Sequence, residues 1–225
     1  MRTHLALAAC VLVAAVPVAW AAGGSPMPSM PSPREQSPQE QAKSLYNDGI
    51  RDVRKADGFQ ADANQLTDAG KKDKALRKAH DHYGSSQTKF LQAVKLDPNM
   101  YEAWNYVGYT SRKLGNYDIA LSAYERALSL HPGYPEALEY RGEAFLALNR
   151  ISDAQQAYLD LFAANRGLAD KLLSAMKGWI DGQRTGTAGN DATVVDALDK
   201  WVQERVQIAG QTAALTREGA ASSWR

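Results

Sequence analysis

The chain has 225 residues, enough for one ordinary domain or a short helical array with tails. Its 26 Lys and Arg stand against 25 Asp and Glu, and the only formal charge before Ala22 is Arg2, so nothing points to nucleic acid or an anionic membrane as a general partner. The single cysteine, Cys10, excludes an intrachain disulfide framework and a cysteine-based metal cage.

Residues 1–21 read as a secretory signal: Arg2 supplies a short basic end, Leu5 to Val18 an apolar core, and Ala19-Trp20-Ala21 a small-residue exit, with cleavage before Ala22 or one residue later. An uncleaved anchor is the alternative, but the apolar run is short for a spanning helix of ~20 residues. Leu7-Ala8-Ala9-Cys10 also resembles a lipobox; the apolar stretch before Cys10 is short and a longer one follows it. The expected mature protein works outside the cytoplasm, periplasmic or secreted in a bacterium, with no transmembrane span after signal cleavage. Residues 22–36 contain a Gly-, Pro- and Ser-rich run from Gly23 to Arg34 without apolar periodicity, which predicts a flexible linker.

Ser37-Pro38-Gln39-Glu40 is a helix start, because Ser accepts from the backbone three residues on, Pro suits the first turn and Glu reaches back. Leu45, Tyr46, Gly49, Ile50, Val53 and Ala56 continue one apolar stripe. The stripe weakens through Phe59, Ala63 and Leu66, then recovers at Leu76, Ala79, Tyr83, Phe90, Ala93 and Val94. In residues 101–134, Trp104, Val107, Gly108 and Ser111 share one face of a helix, and Gly115-Asn116 supplies its stop. Ala120, Tyr124 and Ala127 stripe a second helix that ends before Pro132.

A shift of 34 residues carries Trp104 onto Leu138, Gly108 onto Gly142, Ser111 onto Phe145, Ala120 onto Ala154 and Tyr124 onto Tyr158. That period and those residue types resemble the tetratricopeptide repeat, a helix–turn–helix unit of ~34 residues. Units 101–134 and 135–168 carry the resemblance, with departures at Arg141 for Val107, Leu161 for Ala127 and Arg166 for Pro132. Pro98 lies 34 residues before Pro132, so the end of residues 37–100 is in register, whereas Gly49 comes some 25 residues too early. Residues 37–100 therefore form either one repeat with two lengthened helices or a repeat interrupted by a separate short helix.

Beyond Asn165 the register fades. Leu168, Leu172, Leu173, Met176, Trp179 and Ile180 form one apolar face, and Asp181 to Asn190 is a loop by composition. Val194, Val195, Leu198, Trp201, Val202 and Ala209 form another face, capped at Asn190 or Asp191. Residues 169–210 are thus a degenerate repeat or a terminal cap, which a stacked array needs in order to cover its last apolar face. Residues 211–225 are expected to be a flexible tail. The fold class is all-α: a short tetratricopeptide-like solenoid of antiparallel helix pairs, with a lengthened first pair and C-terminal capping helices.

No catalytic constellation emerges. Beyond His4 in the leader, His80 and His82 are two apart on a predicted helix and face different ways, and His131 stands alone, so no metal and no cofactor is implied. There is no P-loop, dinucleotide fingerprint or nucleophile elbow. The basic run Lys71 to Lys78 is diluted by Asp73 and Asp81 and reads as a solvated face.

The resemblance implies a concave face lined by the first helix of each unit, which in that family commonly holds a partner's peptide or helix. On that face it places Glu102, Asn105, Tyr109, Arg112 and Lys113 from one unit and Glu136, Glu139, Tyr140 and Glu143 from the next. Family members that clamp a C-terminal carboxylate use a Lys/Asn/Arg set; Asn105 and Arg112 match it in part, and the acidic second unit departs from it. The expected role is a non-catalytic interaction module or scaffold of the cell envelope with a protein or peptide partner. A hydrolase hidden in the C-terminal helices and a structural protein that self-associates are the competing readings.

Overall fold

The computed structural model describes residues 36–186 and 191–222, with side chains as far as residue 212. The signal expected at 1–21, nearly all of the linker expected at 22–36, and Asn190 lie outside the described residues. Among those described, every element is a helix: α1 (Pro38–Gln65), α2 (Ala69–Leu96), α3 (Tyr101–Lys113), α4 (Tyr117–Leu130), α5 (Pro135–Ala147), α6 (Ile151–Ala164), α7 (Arg166–Thr185) and α8 (Ala192–Ser222). None is long and apolar enough to cross a membrane.

The helices pair in chain order, α1 on α2, α3 on α4 and α5 on α6. Each second helix hands on to the next first helix, and α7 packs on both α5 and α6 before α8 covers it. The first pair consists of two 28-residue helices, against 13 and 14 residues for α3 and α4. Of the two alternatives for residues 37–100, the lengthened hairpin is the one observed.

Local chemistry sets the ends. The Ser37 and Glu40 capping box starts α1, with the Glu40 amide donating to Ser37 Oγ at 3.2 Å and the Ser37 amide to Glu40 Oε2 at 2.8 Å. Asp68 caps α2 by accepting from the Lys71 amide at 2.7 Å. Gly115 ends α3 at φ +81°, and Asn149, 34 residues on, ends α5 at φ +57°. The Asn116 and Arg150 amides donate to the Ser111 and Phe145 carbonyls at 2.8 Å, so one turn serves both units with either residue that tolerates a left-handed backbone.

Two boundaries differ from those the sequence predicts. The helix α7 continues to Thr185, through the first half of the loop expected at 181–190. Its glycines are outweighed by Ile180, which is 1% exposed and locks the last turns onto the core, and by Arg184, which ties Asp196 and Asp199 of α8 at 3.0 Å each. The backbone of α8 is helical to Ser222, across most of the tail expected at 211–225. Asp191 accepts from the Thr193 amide at 2.9 Å, as a cap should.

The core is built on close helix approach. A Cβ on Gly108 would lie 2.4 Å from Tyr124 Cε1 of the paired helix, and Tyr124 is fully buried. Gly142 holds the same register but meets Leu172 of α7, not Tyr158 of its own partner helix. Tyr158 turns instead to Trp201 of α8, edge-to-face at 5.3 Å. The 34-residue pattern thus preserves the small residue while changing what fills the space, which brings α7 down onto the inner layer of α1, α3 and α5.

Candidate partner-binding groove

Tyr106 of α3 and Tyr140 of α5 occupy the same register position, and the inner face is built around them and the residues one turn away. Arg112 lies over the rings of Tyr109 and Tyr140, its guanidinium carbon 5.5 Å and 5.6 Å from their centroids, while the two rings sit 4.9 Å apart. Its Nη1 donates to Glu143 Oε2 at 2.6 Å across the two units. Burial pulls Arg112 toward its neutral form, but Glu143 and the tyrosines around it push further the other way, so the guanidinium stays firmly charged. Lys113 is exposed and its ammonium stands 5.4 Å from the Tyr109 ring.

Three of the residues expected to face outward are buried: Asn105 (1% exposed), Tyr109 (8%) and Glu139 (5%). At Tyr109 the burial has one cause. The long hairpin leans on α3, and Asp57 of α1 accepts from the Tyr109 hydroxyl at 2.7 Å and from the Tyr83 hydroxyl of α2 at 2.6 Å. Burial first, and then the bond to Asp57, raise the Tyr109 hydroxyl far above the ordinary phenol range. Glu139 lies between the two short units and α7; burial, then Glu143, raise its carboxyl to about 7, with Lys171 and Arg112 opposing in part. Glu136 and Tyr140 remain half-buried on the same face.

The structure therefore gathers Tyr109, Arg112, Lys113, Tyr140 and Glu143 into one layer, with Glu139 beneath and Asn105 and Glu136 toward the other end of the helices. Asp57, Tyr83 and Lys171 belong to this layer but were not among the expected site residues: Asp57 and Lys171 lie on α1 and α7, where the 34-residue shift has no purchase, and Tyr83 read only as part of the apolar stripe of α2. Tyr106 is within its reach, since it aligns with Tyr140. Among the described residues no group of three or more metal-ligating side chains is close enough to hold an ion.

Residues 110–169 match the family model described as tetratricopeptide repeat, covering α3 from Thr110 through α6 and into the start of α7. Among solved structures, the chain is similar to the first TPR of Spaghetti (RPAP3) bound to an HSP90 peptide, SRMEEVD. That likeness stands at 18% identity and a TM-score of 0.39, covering 56% of this chain and 94% of that one. The segment the family model matches is the pair of units in which the 34-residue period is regular, and the described residues form an all-α, tetratricopeptide-like helical solenoid.

Proposed function

We propose that this protein is a non-catalytic interaction module of the cell envelope that binds a partner's peptide or helix along the inner face of α1, α3, α5 and α7. The observation that carries this is the Arg112–Glu143 pair, held between Tyr109 and Tyr140 at the junction of two units with side chains 14% and 25% exposed. A charge pair in that setting keeps its geometry without water and offers a partner both signs of charge on a rigid aromatic floor, which fixes register more than it adds affinity. An exported location rests on the leader at residues 1–21, and the N-terminal residue of the protein recovered from the periplasm or medium tests it.

Exchanging the pair, Arg112→Glu with Glu143→Arg, keeps the bridge and inverts the local field. A photoreactive residue at exposed Lys113 is expected to capture a partner in cells, and the exchange to abolish that capture while the fold persists. Ile119, 54% exposed on α4, serves as the outer-face control. Equal capture from both positions, or capture unchanged by the exchange, would make the assignment wrong. Self-association draws support from Val194, Val206 and Ile208, all exposed on α8; a concentration-independent monomer by light scattering removes it.

A further inference from the structure

The opposite end of the same face carries a constellation that the Arg112–Glu143 layer does not use. Tyr46 of α1 meets Tyr106 of α3 edge-to-face at 5.8 Å, and Tyr101, opening α3, meets Tyr134, just before α5, at 5.0 Å. All four rings are half-buried, so each keeps part of its surface open. Glu102 and Glu136 stand among them one repeat apart, also half-buried, and neither forms an ion pair with a described cation. Both carboxylates are felt at Tyr46 and Tyr134: burial is the first cause raising each hydroxyl, and Glu136 is the next at Tyr134.

A third acceptor lies on the same helix face, one turn from Glu102. Asn105 is 1% exposed and its Oδ1 has no hydrogen-bond partner. A cleft of about 410 Å³ opens at this corner, lined by Lys43, Tyr46, Asp97, Met100 and Glu102 among others, so that two carboxylates face one lysine. Glu102 and Glu136 each lie in the first turn of a helix, which favours a carboxylate there. That accounts for two acids, but not for four rings around them or for a buried oxygen with nothing to accept.

Ring surface that Phe90 and His131 leave uncovered, next to hydrogen-bond acceptors, selects a cation with an apolar stem. An anion would face two carboxylates, and a neutral apolar group would desolvate both with only the Tyr101 hydroxyl to offset it at Glu102. We propose that this corner receives a Lys or Arg side chain from the partner, its stem against Tyr46, Tyr106 and Tyr134 and its charged head between Glu102 and Glu136. The proposal rests on the inner face being the peptide-binding surface, and adds to it a residue class and a spacing. From Glu102 to Lys113 the helix rises about 16 Å at ~1.5 Å per residue, which an extended peptide spans in about five residues. The partner then presents a basic residue at this corner and an acidic one about five residues away, against Lys113.

The test passes a random octapeptide library over the immobilised full-length protein and sequences the retained pool. The expected result is enrichment of Lys and Arg by about fivefold, an effect of the size cation–π and ion-pair contacts produce, lost in Glu102→Gln/Glu136→Gln and kept in Glu125→Gln/Glu204→Gln, which removes two exposed acids elsewhere. Circular dichroism and melting check that all variants fold. A retained pool with no excess of Lys and Arg, or an excess that Glu102→Gln/Glu136→Gln leaves intact, overturns the cation corner while the peptide-binding face stands. If no peptide is retained, both fall.

Discussion

Glu139 has almost no contact with solvent, and burial with Glu143 alongside lifts its carboxyl from an ordinary 4.5 to about 7. Folding therefore disfavours its charged form. The contribution of Glu139 to stability is fully present below the unfolded value of 4.5 and is lost as pH rises through about 7, where the native carboxyl must finally ionise. Glu139→Gln is expected to add about 1–3 kcal/mol near pH 8, since each tenfold change in an ionisation equilibrium corresponds to ~1.4 kcal/mol, and to flatten the dependence below that. Urea midpoints measured near pH 5 and near pH 8 check it; a wild type no less stable at the higher pH would refute the assignment. The position of Glu139 could be read from the repeat register, but its environment could not. The register says which residues share a face, whereas Lys171, Glu143 and the weight of α7 above it are tertiary facts.

At the scale of elements, close approach decides. A methyl group at Gly108 has nowhere to go, because Tyr124 fills that space from a fully buried position. Gly108→Ala is expected to cost about 1–3 kcal/mol, the range for overpacking a tight core, despite the higher helix propensity of Ala. Combining it with Tyr124→Leu should restore part of the loss, and thermal melts of the single and double variants test the coupling. The helix pairs were legible because their small and large residues alternate at helical spacing, and the first turn because Gly115 tolerates φ above zero; the matching turn at Asn149 carries no glycine and was not legible. The extension of α7 past Asp181 was not, because Gly182 and the polar run read as loop until Ile180 and Arg184 are seen against α8. In the long hairpin, Ala56, Ala63, Ala75 and Ala79 are all buried, which lets α1 and α2 run close with little side-chain bulk between them.

Across the whole molecule, α8 closes the array. Val195, Leu198 and Val202 are buried in the cluster that includes Leu172, Met176 and Ile180 of α7. Ending the chain after Gly186 uncovers that face, and the shortened protein is expected to bind a hydrophobic dye and lose solubility, as an uncapped solenoid does. A soluble, dye-negative truncation would show that α7 already serves as the cap. At the other end, the clamp that buries Tyr109 is a single carboxylate. Beyond Asp57, helix α1 runs on for eight residues to Gln65, roughly 12 Å at ~1.5 Å per residue, so the hairpin tip is a cantilever held at the Tyr83–Asp57–Tyr109 tie. A load on the tip is therefore expected to bend the hairpin beyond that support before it displaces the floor around Arg112.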